Sequence, residues 1–409
     1  FLMGALHSLV HILHKLDPKN EKWKAEQIKA ISHITDPKIK KEILKKIEES
    51  FTSNELNYGR KLYLIQNCLY GVDIQPIAIH IAKLRFFISL LVDQKIDEKS
   101  KNSGIEPLPN LETRLVAANT LVGLPKSELK DKNLEPLENE LNEIRDNYFI
   151  VMTEKEKERL SKKDADLRKK IAQQLIISGS PSLIPEKIIK WNPYDTNSFA
   201  DWFDSKLMLG VRNGFDIVIG NPPHGADMSK YLEQIKFSHK YYDTRKNSAS
   251  FFIACASSLL KYNGIATYII PKSLSFVEGW EPTRNFILSK NKLLVVLDIS
   301  KSFENVLLEQ IVIIFKNFSV KDNYIIKTGS GWNKSINIIS KIEKSIIETL
   351  GVIPCYLEPI KLKIFNKLIN GSVKLSSISK TFRGMPWQKK IGSHGEPILR
   401  GRDIGRFFI

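Results

Sequence analysis

The sequence at Phe215–His224 reads FDIVIGNPPH, and the interpretation of the whole chain depends on it. The largely apolar run Phe215–Ile219 predicts a strand, which ends at Gly220. The two prolines after Asn221 each lack an N–H and have φ fixed near about −65°, so the loop is stiff and rich in hydrogen-bond acceptors. Such a loop can hold an amino group, although an isolated Asn-Pro-Pro also occurs as an ordinary surface turn.

The composition indicates a globular protein with a polyanionic partner. The 409 residues suffice for two or three domains, and 42% of them are hydrophobic and 26% charged. A net charge of +17 attracts nucleic acid or an anionic membrane. Residues 301–409 contain 18 Lys/Arg against 8 Asp/Glu, so more than half of the net charge lies there. We therefore expect this end of the chain to face DNA, with double-stranded DNA as the partner, although many basic proteins are merely soluble.

The cysteines and the apolar segments limit the remaining classes. Cys68, Cys255 and Cys355 lie far apart and form no Cys-x-x-Cys pair, which favours a reduced, cytoplasmic protein without a zinc site or other metal. No apolar run approaches the roughly 18–20 residues that span a bilayer, so no membrane is expected. The first six residues lack both an initiating Met and the basic region of a signal peptide, which indicates a piece cut from a longer protein.

A second segment, residues 68–76, predicts a short strand that ends at Asp73. An apolar helix follows at 77–92, and because it is apolar nearly all round we expect it to be buried. A strand, an acid and a buried helix make half of a nucleotide-binding βαβ unit. There the carboxylate can accept both ribose hydroxyls of a nucleoside cofactor, although an Asp that caps the helix gives the same pattern.

Asn119 follows a third predicted strand in the segment RLVAANTL, residues 114–121. At a strand end its side-chain amide could bind an adenine edge, and it could equally be a turn residue.

Helical patterns surround these strands. Residues 1–16 place their leucines on one helical stripe, which Asp17-Pro18 ends. The regions 17–60 and 126–190 are rich in charged residues and predict helical insertions, the second of them a helical hairpin. Residues 248–260 predict a further helix.

The late strands complete the expected fold. Residues 265–271 form one buried strand, and 293–299 and 311–315 form two more with no helix between them, so these two should pair antiparallel. The expected fold is α/β, a doubly wound Rossmann-like sheet with a late antiparallel hairpin at one edge plus the helical insertions.

In their order, these motifs resemble the gamma class of adenine-N6 DNA methyltransferases. Within that class, the order looks like that of the large forms found in type IIG restriction-modification enzymes and related phage-defence proteins. The resemblance covers about residues 1–320 and resumes at 384–408; its strongest parts are 69–94, 106–112 with 118–121, and 214–224.

The resemblance implies S-adenosylmethionine as the cofactor. Asp73 would hold its ribose, Ile74 would pack on its adenine, and Asn119 would face the adenine ring.

The resemblance also implies the catalytic loop, formed by Asn221, Pro222, Pro223 and His224. His224 and Phe303 would be the two faces that stack on the target base. The implied reaction transfers a methyl group to N6 of a flipped adenine within a restriction-modification or phage-defence enzyme.

The same resemblance divides the chain into domains. Residues 1–320 would be the methyltransferase domain, incomplete at its N-terminus, followed by a connecting region at 321–380. Residues 381–409 would begin the target-recognition domain, with Arg400–Ile404 resembling its start. Nuclease and recognition domains could be fused or separate.

Two departures from the family pattern stand out. His224 replaces the usual Tyr or Phe, and an imidazole covers less area in a stack. The family's glycine-rich cofactor loop is absent; Phe1-Leu2 resemble its last residues, so we expect it upstream and expect these 409 residues to bind the cofactor weakly.

Two other functions fit the motifs. One is an amino-methyltransferase that acts on protein glutamine or on RNA, because the same loop chemistry suits any planar amide or amine. The other is a DNA-binding defence component with a degenerate pocket, for which His224 would be the sign.

Overall fold

A computed structural model describes residues 1–30, 56–94, 101–105, 109–124, 134–151, 153–181, 183–224, 228–229, 232, 235, 248–300, 308–332, 335–355, 357–373 and 375–380. The chain divides into two compact units, Phe1–Tyr356 and Leu357–Ile409. The first unit is mixed α/β and contains the segments on which the sequence analysis depends.

The first unit begins with three helices: α1 (Leu2–Leu16), α2 (Glu21–Ala30) and α3 (Leu56–Asn67). As predicted, α1 ends immediately before Asp17-Pro18. Two short parallel strands follow, β1 (Gly71–Asp73) and β2 (Leu115–Ala117), with helix α4 (Pro76–Leu91) between them. One core joins α1, α3, α4 and β2; its buried members include Leu6, Leu64, Ile65, Ile79, Phe86, Leu90, Leu111 and Leu115.

Helix α4 is only half buried, so the prediction of a fully buried helix is wrong. Ile79, Phe86 and Leu90 face the core, whereas four apolar residues of the helix are 48–61% exposed: Ile77, Ile81, Leu84 and Ile88. The sequence could not separate the two sides because both are apolar, and only packing shows which side meets β2, α1 and α3.

The second predicted insertion forms three helices and not a simple hairpin: α5 (Leu134–Ile150), α6 (Glu154–Ile177) and α7 (Leu183–Lys190). They pack with a short helix, α8 (Ser205–Leu209), around a core that includes the edge-to-face rings of Trp191 and Trp202. The fully buried Asp164 lies between Arg145 and Arg168, with nitrogen–oxygen distances of 2.7 and 2.6 Å. The three charged residues belong to the insertion, and Arg145 and Arg168 also donate to the carbonyl oxygens of Leu207 and Trp191 in the segment that follows it, which gives the network a structural role.

The larger sheet contains six strands: β3 (Phe215–Gly220), β4 (Leu260–Pro271), β5 (Lys292–Ser300), β6 (Gln310–Lys316), β7 (Ile325–Trp332) and β8 (Ser335–Glu343). The intervening helices are α9 (Ser248–Leu259) and α10 (Glu281–Lys290), and α11 (Lys344–Leu350) follows β8. Short 3-10 turns occur at Lys101–Gly104, Lys272–Ser275 and Glu278–Trp280.

The strands are ordered β3-β4-β6-β5-β7-β8. β3 pairs with β4 and β5 with β7 in parallel, whereas β6 is antiparallel to both β4 and β5, and β7 is antiparallel to β8. The sheet is therefore mixed.

This topology corrects two expectations. The described strands form two separate sheets, of two and six strands, where one doubly wound sheet was expected. The antiparallel pairing of β5 with β6 is confirmed, but that pair does not form a sheet edge, because the two edge strands are β3 and β8. The side chains of Ile311, Ile313 and Phe315 are fully buried, as suits a central strand that is covered on its faces.

β7 and β8 fall within residues 321–380, which the sequence analysis took as a connecting region. They extend the six-stranded sheet, and the structure divides the chain only after Tyr356.

The second unit contains helices α12 (Pro359–Asn370) and α13 (Leu375–Ile378). Residues 381–409, the predicted start of a target-recognition domain, lie outside the described residues. Among the helices that the structure describes, none combines the length and the apolar character needed to cross a bilayer.

Candidate active site

The loop Asn221–His224 begins where β3 ends, and its first turn is fixed by close packing. Gly220 pairs with Tyr268 of β4 in the parallel ladder. A Cβ at residue 220 would lie 2.4 Å from Cε1 of the Tyr268 ring, which is 5% exposed. Only a residue without a side chain therefore fits here, and the course of the backbone into Asn221 follows the buried ring.

Asn221 and the prolines are presented differently. Pro222 is buried, whereas Asn221 and Pro223 are exposed. The Asn221 side chain makes no hydrogen bond to any residue that the structure describes, so its amide oxygen and nitrogen are both available to a ligand.

Ser248 holds the far side of this loop. It is the first residue of α9, it is fully buried, and its hydroxyl donates to the Pro223 carbonyl oxygen at 2.5 Å. Since a proline cannot donate, its carbonyl is the only backbone group through which the loop can be held at this residue.

Gln310 holds His224. The side-chain nitrogen Nε2 of Gln310, at the start of β6, lies 3.1 Å from His224 Nε2. Burial lowers the pKa of His224, so the half-buried ring is neutral at neutral pH. A neutral imidazole is a flat, uncharged surface.

The other predicted stacking residue, Phe303, lies in a segment outside the described residues. The structure therefore gives the position of one of the two predicted stacking faces.

Asp73 ends β1 as predicted and is exposed. Its Oδ1 accepts a hydrogen bond from the Gln75 backbone N–H at 2.8 Å, which fixes the carboxylate. The other oxygen has no hydrogen-bond partner among the described residues, and the neighbouring Ile74 side chain is 52% exposed. A fixed acceptor beside an exposed apolar side chain suits a nucleoside, with the hydroxyls on the acid and the base on Ile74.

Asn119 is less available than predicted, since it is 7% exposed. Its side-chain Oδ1 accepts a hydrogen bond from the Leu121 backbone N–H at 3.2 Å, and its backbone N–H donates to the Ala200 carbonyl oxygen at 3.0 Å. The side-chain oxygen of Asn119 is therefore used in the turn, and only its NH₂ group remains available to a ligand.

Helix α9 brings the Asn119 segment and the Asn221–His224 loop together. Ser248 at the start of α9 holds Pro223, and Cys255, two turns later, donates its thiol to the Thr120 carbonyl oxygen at 3.3 Å. Seven residues of helix span only about 10 Å. Leu121 also belongs to a buried cluster with Phe251 of α9. The ends of β2 and β3 thus pack on the same helix.

Three residues of this site were missed by sequence reasoning: Tyr268, Ser248 and Gln310. The first two belong to segments that were predicted as a strand and a helix, and nothing in their residue type indicated contact with residues 20 to 50 positions earlier. Gln310 is 86 positions from its partner, and no sequence pattern predicts such a pair.

Comparison with known proteins gives the class of the chain as restriction-modification methylases. The chain belongs to the Eco57I restriction-modification methylase family, whose model matches residues 67–304, more than half of the chain. The matched region contains both Asp73 and the Asn221 loop.

A protein named as a type II restriction enzyme and methyltransferase, from Methanocaldococcus jannaschii, is 26% identical over 294 residues. The alignment covers 57% of this chain and 24% of that relative, so the chain spans about a quarter of the relative's length.

Solved structures give more distant matches. The ATP-dependent Type ISP restriction-modification enzyme LlaBIII, bound to DNA, has a TM-score of 0.37 at 11% identity and covers 70% of this chain and 16% of its own. The type IIG restriction endonuclease BpuSI has a TM-score of 0.33 at 11% identity and covers 80% and 34%.

Proposed function

We propose that this chain is the catalytic part of a DNA methyltransferase that transfers a methyl group from S-adenosylmethionine to N6 of a flipped adenine, within a restriction-modification or phage-defence enzyme. The observation that carries the proposal is the Asn221 side chain. It is exposed and free of hydrogen bonds to described residues, while Gly220, Pro223 and His224 around it are each held by a buried side chain.

The chemistry required is activation of a weak nucleophile. The lone pair of an adenine amino group is delocalised into the ring, so the nitrogen must change geometry before it can attack. In the proposed mechanism the Asn221 Oδ1 and the Pro222 backbone carbonyl accept the two amino hydrogens, which stabilises the positive charge that develops on nitrogen. Because both acceptors lie on one stiff segment, their positions cost little to fix, and positioning supplies much of the rate.

The cofactor residues fit a nucleoside. The fixed Asp73 carboxylate would accept the ribose hydroxyls, the exposed Ile74 would contact the base, and the Asn119 NH₂ group would face its edge. When bound, S-adenosylmethionine supplies an electrophilic methyl group. We further propose that these 409 residues bind it weakly, since the glycine-rich loop typical of this class is not part of the sequence.

DNA is proposed as the partner because of the net charge of +17 and its concentration after residue 301. A target base must leave the stack before its amino group can reach Asn221, which costs a few kcal/mol and is offset by stacking in the pocket. The neutral, held ring of His224 supplies one stacking face, and Phe303 is proposed as the second.

The test compares Asn221→Ala with wild type, using methyl-labelled S-adenosylmethionine in large excess and double-stranded DNA. We expect kcat to fall by at least about 10²-fold, the usual cost of removing one group that stabilises a developing charge. DNA affinity should stay within about twofold, because Asn221 carries no charge to pair with phosphate.

A matched control is Asn285→Ala, which removes an exposed asparagine from α10. It should leave both measurements unchanged. Retained methyl transfer in Asn221→Ala would refute the proposal. Label in protein or RNA would favour the amino-methyltransferase alternative, and DNA binding without any transfer by the wild type would favour a degenerate defence component.

A further inference from the structure

Gln310 is a buried polar residue whose side chain reaches directly into the catalytic loop. It is the first residue of β6 and is 4% exposed, and its amide Nε2 lies 3.1 Å from His224 Nε2. Its amide oxygen is also buried and has no hydrogen-bond partner among the described residues. A buried amide normally satisfies both of its polar atoms, so its position here calls for an explanation beyond packing.

The backbone of Gln310 is held by the strands on both of its sides. It pairs with Pro271 of β4 and with Ser300 of β5 in the antiparallel ladders. The next backbone contact is made by the Lys272 N–H, which donates to the Glu309 carbonyl oxygen at 2.9 Å. Gln310 therefore begins a strand that is paired on both edges at its first residue.

An ion pair network reinforces the same strand ends. The Lys272 ammonium lies 2.7 Å from the buried carboxylate of Asp298 and 2.9 Å from the carboxylate of Glu309. These three residues come from the ends of three adjacent strands, β4, β5 and β6. The connection makes the strand end that carries Gln310 rigid, so its amide has a fixed position relative to the loop.

The hydrogen bond also determines the proton arrangement of the imidazole. With the Gln310 NH₂ group facing the ring, His224 Nε2 accepts and the proton of the neutral ring lies on Nδ1, a buried atom with no hydrogen-bond partner among the described residues. A ring held by one nitrogen in this way cannot turn over or shift its proton without breaking the bond to Gln310.

We propose that Gln310 is a positioning residue that holds the His224 ring in one orientation and in the Nδ1–H form, so that a flat face is ready for the target base. The role of the His224 ring as a stacking face rests on the proposed function. The pairing of Gln310 with His224 can be tested independently of that role.

The experiment has two arms: nitrogen-15 NMR of the full chain with its histidines isotopically labelled, and methyl-transfer kinetics. The variant is Gln310→Met, which keeps the length and approximate volume of the side chain and removes the donor. In wild type, Nε2 of His224 should show the chemical shift of an unprotonated ring nitrogen, and in Gln310→Met this signal should move toward that of a mixture of tautomers. His224→Phe identifies the signal by removing it.

In the kinetic arm, kcat/KM should fall by roughly 5- to 100-fold in Gln310→Met, the range expected for the loss of one hydrogen bond and a small misplacement. In a His224→Phe background the same substitution should have no further effect, because phenylalanine offers no acceptor. Gln173→Met, an exposed residue of α6, is the control and should change neither measurement.

Three outcomes would overturn the inference: an unchanged His224 signal in Gln310→Met, an unchanged kcat/KM, or an equal loss in the His224→Phe background. The last would mean that Gln310 acts through the fold and not through His224. If Gln310→Met does not fold, Gln310→Leu takes its place. If the wild type transfers no methyl group, the proposed function fails, and the NMR arm alone still decides the pairing.

Discussion

The packing of Gly220 against Tyr268 leads to a specific prediction for Gly220→Ala. The new Cβ would lie 2.4 Å from Cε1 and 2.9 Å from Cδ1 of the tyrosine ring. Ordinary carbon contacts are about 3.5–4.0 Å, so the ring or the strand end must move by about 1 Å. The ring cannot move freely, because Tyr268 is 5% exposed and lies on β4, which pairs with β3 on one side and β6 on the other.

We expect two effects of this overpacking. Stability should fall by about 1–3 kcal/mol, the usual cost of an added methyl group in a packed core. Turnover should fall by about 10²-fold, because Asn221 is the next residue and a displacement of 1 Å at a reacting group has that order of effect. Urea unfolding gives the first quantity, and methyl transfer at saturating DNA and cofactor gives the second.

A control and a second background make the prediction decisive. Gly4→Ala in α1 places its Cβ in open space and should stabilise the protein by about 0.5–1 kcal/mol. With Tyr268→Val in place, the added cost of Gly220→Ala should largely disappear. Wild-type turnover in Gly220→Ala, or the same cost in both backgrounds, would show that the ring does not set the course of the loop.

The remaining predictions concern the groups around the loop. Ser248→Ala should destabilise the protein by about 1–3 kcal/mol and lower kcat, since it leaves the Pro223 carbonyl without its donor; urea unfolding and turnover measure this. Asp298→Ala should lower the free energy of unfolding in urea by about 2–3 kcal/mol. The loss is smaller than for a fully buried ion pair, because Lys272 still pairs with Glu309. Burial lowers the pKa of His224 below its ordinary value of 6.5, so the unfolded chain binds a proton at this residue more readily than the folded chain does. The stability that the neutral ring contributes is therefore complete above pH 6.5 and is lost as the pH falls below that value. His224→Phe should therefore weaken the loss of stability on acidification, and equal acid sensitivity of the two proteins would contradict this.

Local features of the fold could be predicted where one pattern allowed one structure. The stop at Asp17-Pro18, the strand at Phe215–Ile219 and the antiparallel pairing of β5 with β6 all follow from residue type and spacing. The order of strands could not be predicted, because an apolar strand such as β6 looks the same at any central position. β7 was missed because its polar, glycine-containing sequence lacks the apolar run of the other strands.

The site divides in the same way. The strand-end positions of the Asn221 loop and Asp73 could be predicted, because each motif lies in one continuous stretch of sequence. The residues that hold the loop could not, because Gln310 and Ser248 act on it from 86 and 25 positions away and carry no motif of their own. For Asn119 the sequence allowed two roles, a turn residue or a ligand-binding residue. In the structure its side-chain oxygen accepts a hydrogen bond within the turn.

The most direct test of the central claim is to identify the methylated product. Double-stranded DNA treated with the wild-type protein and methyl-labelled S-adenosylmethionine is digested to nucleosides, and the labelled nucleoside is identified. The account predicts label on N6 of adenine, reduced by at least about 10²-fold in Asn221→Ala and unchanged in Asn285→Ala. Label on another base, or on adenine at the same level in Asn221→Ala, would contradict it.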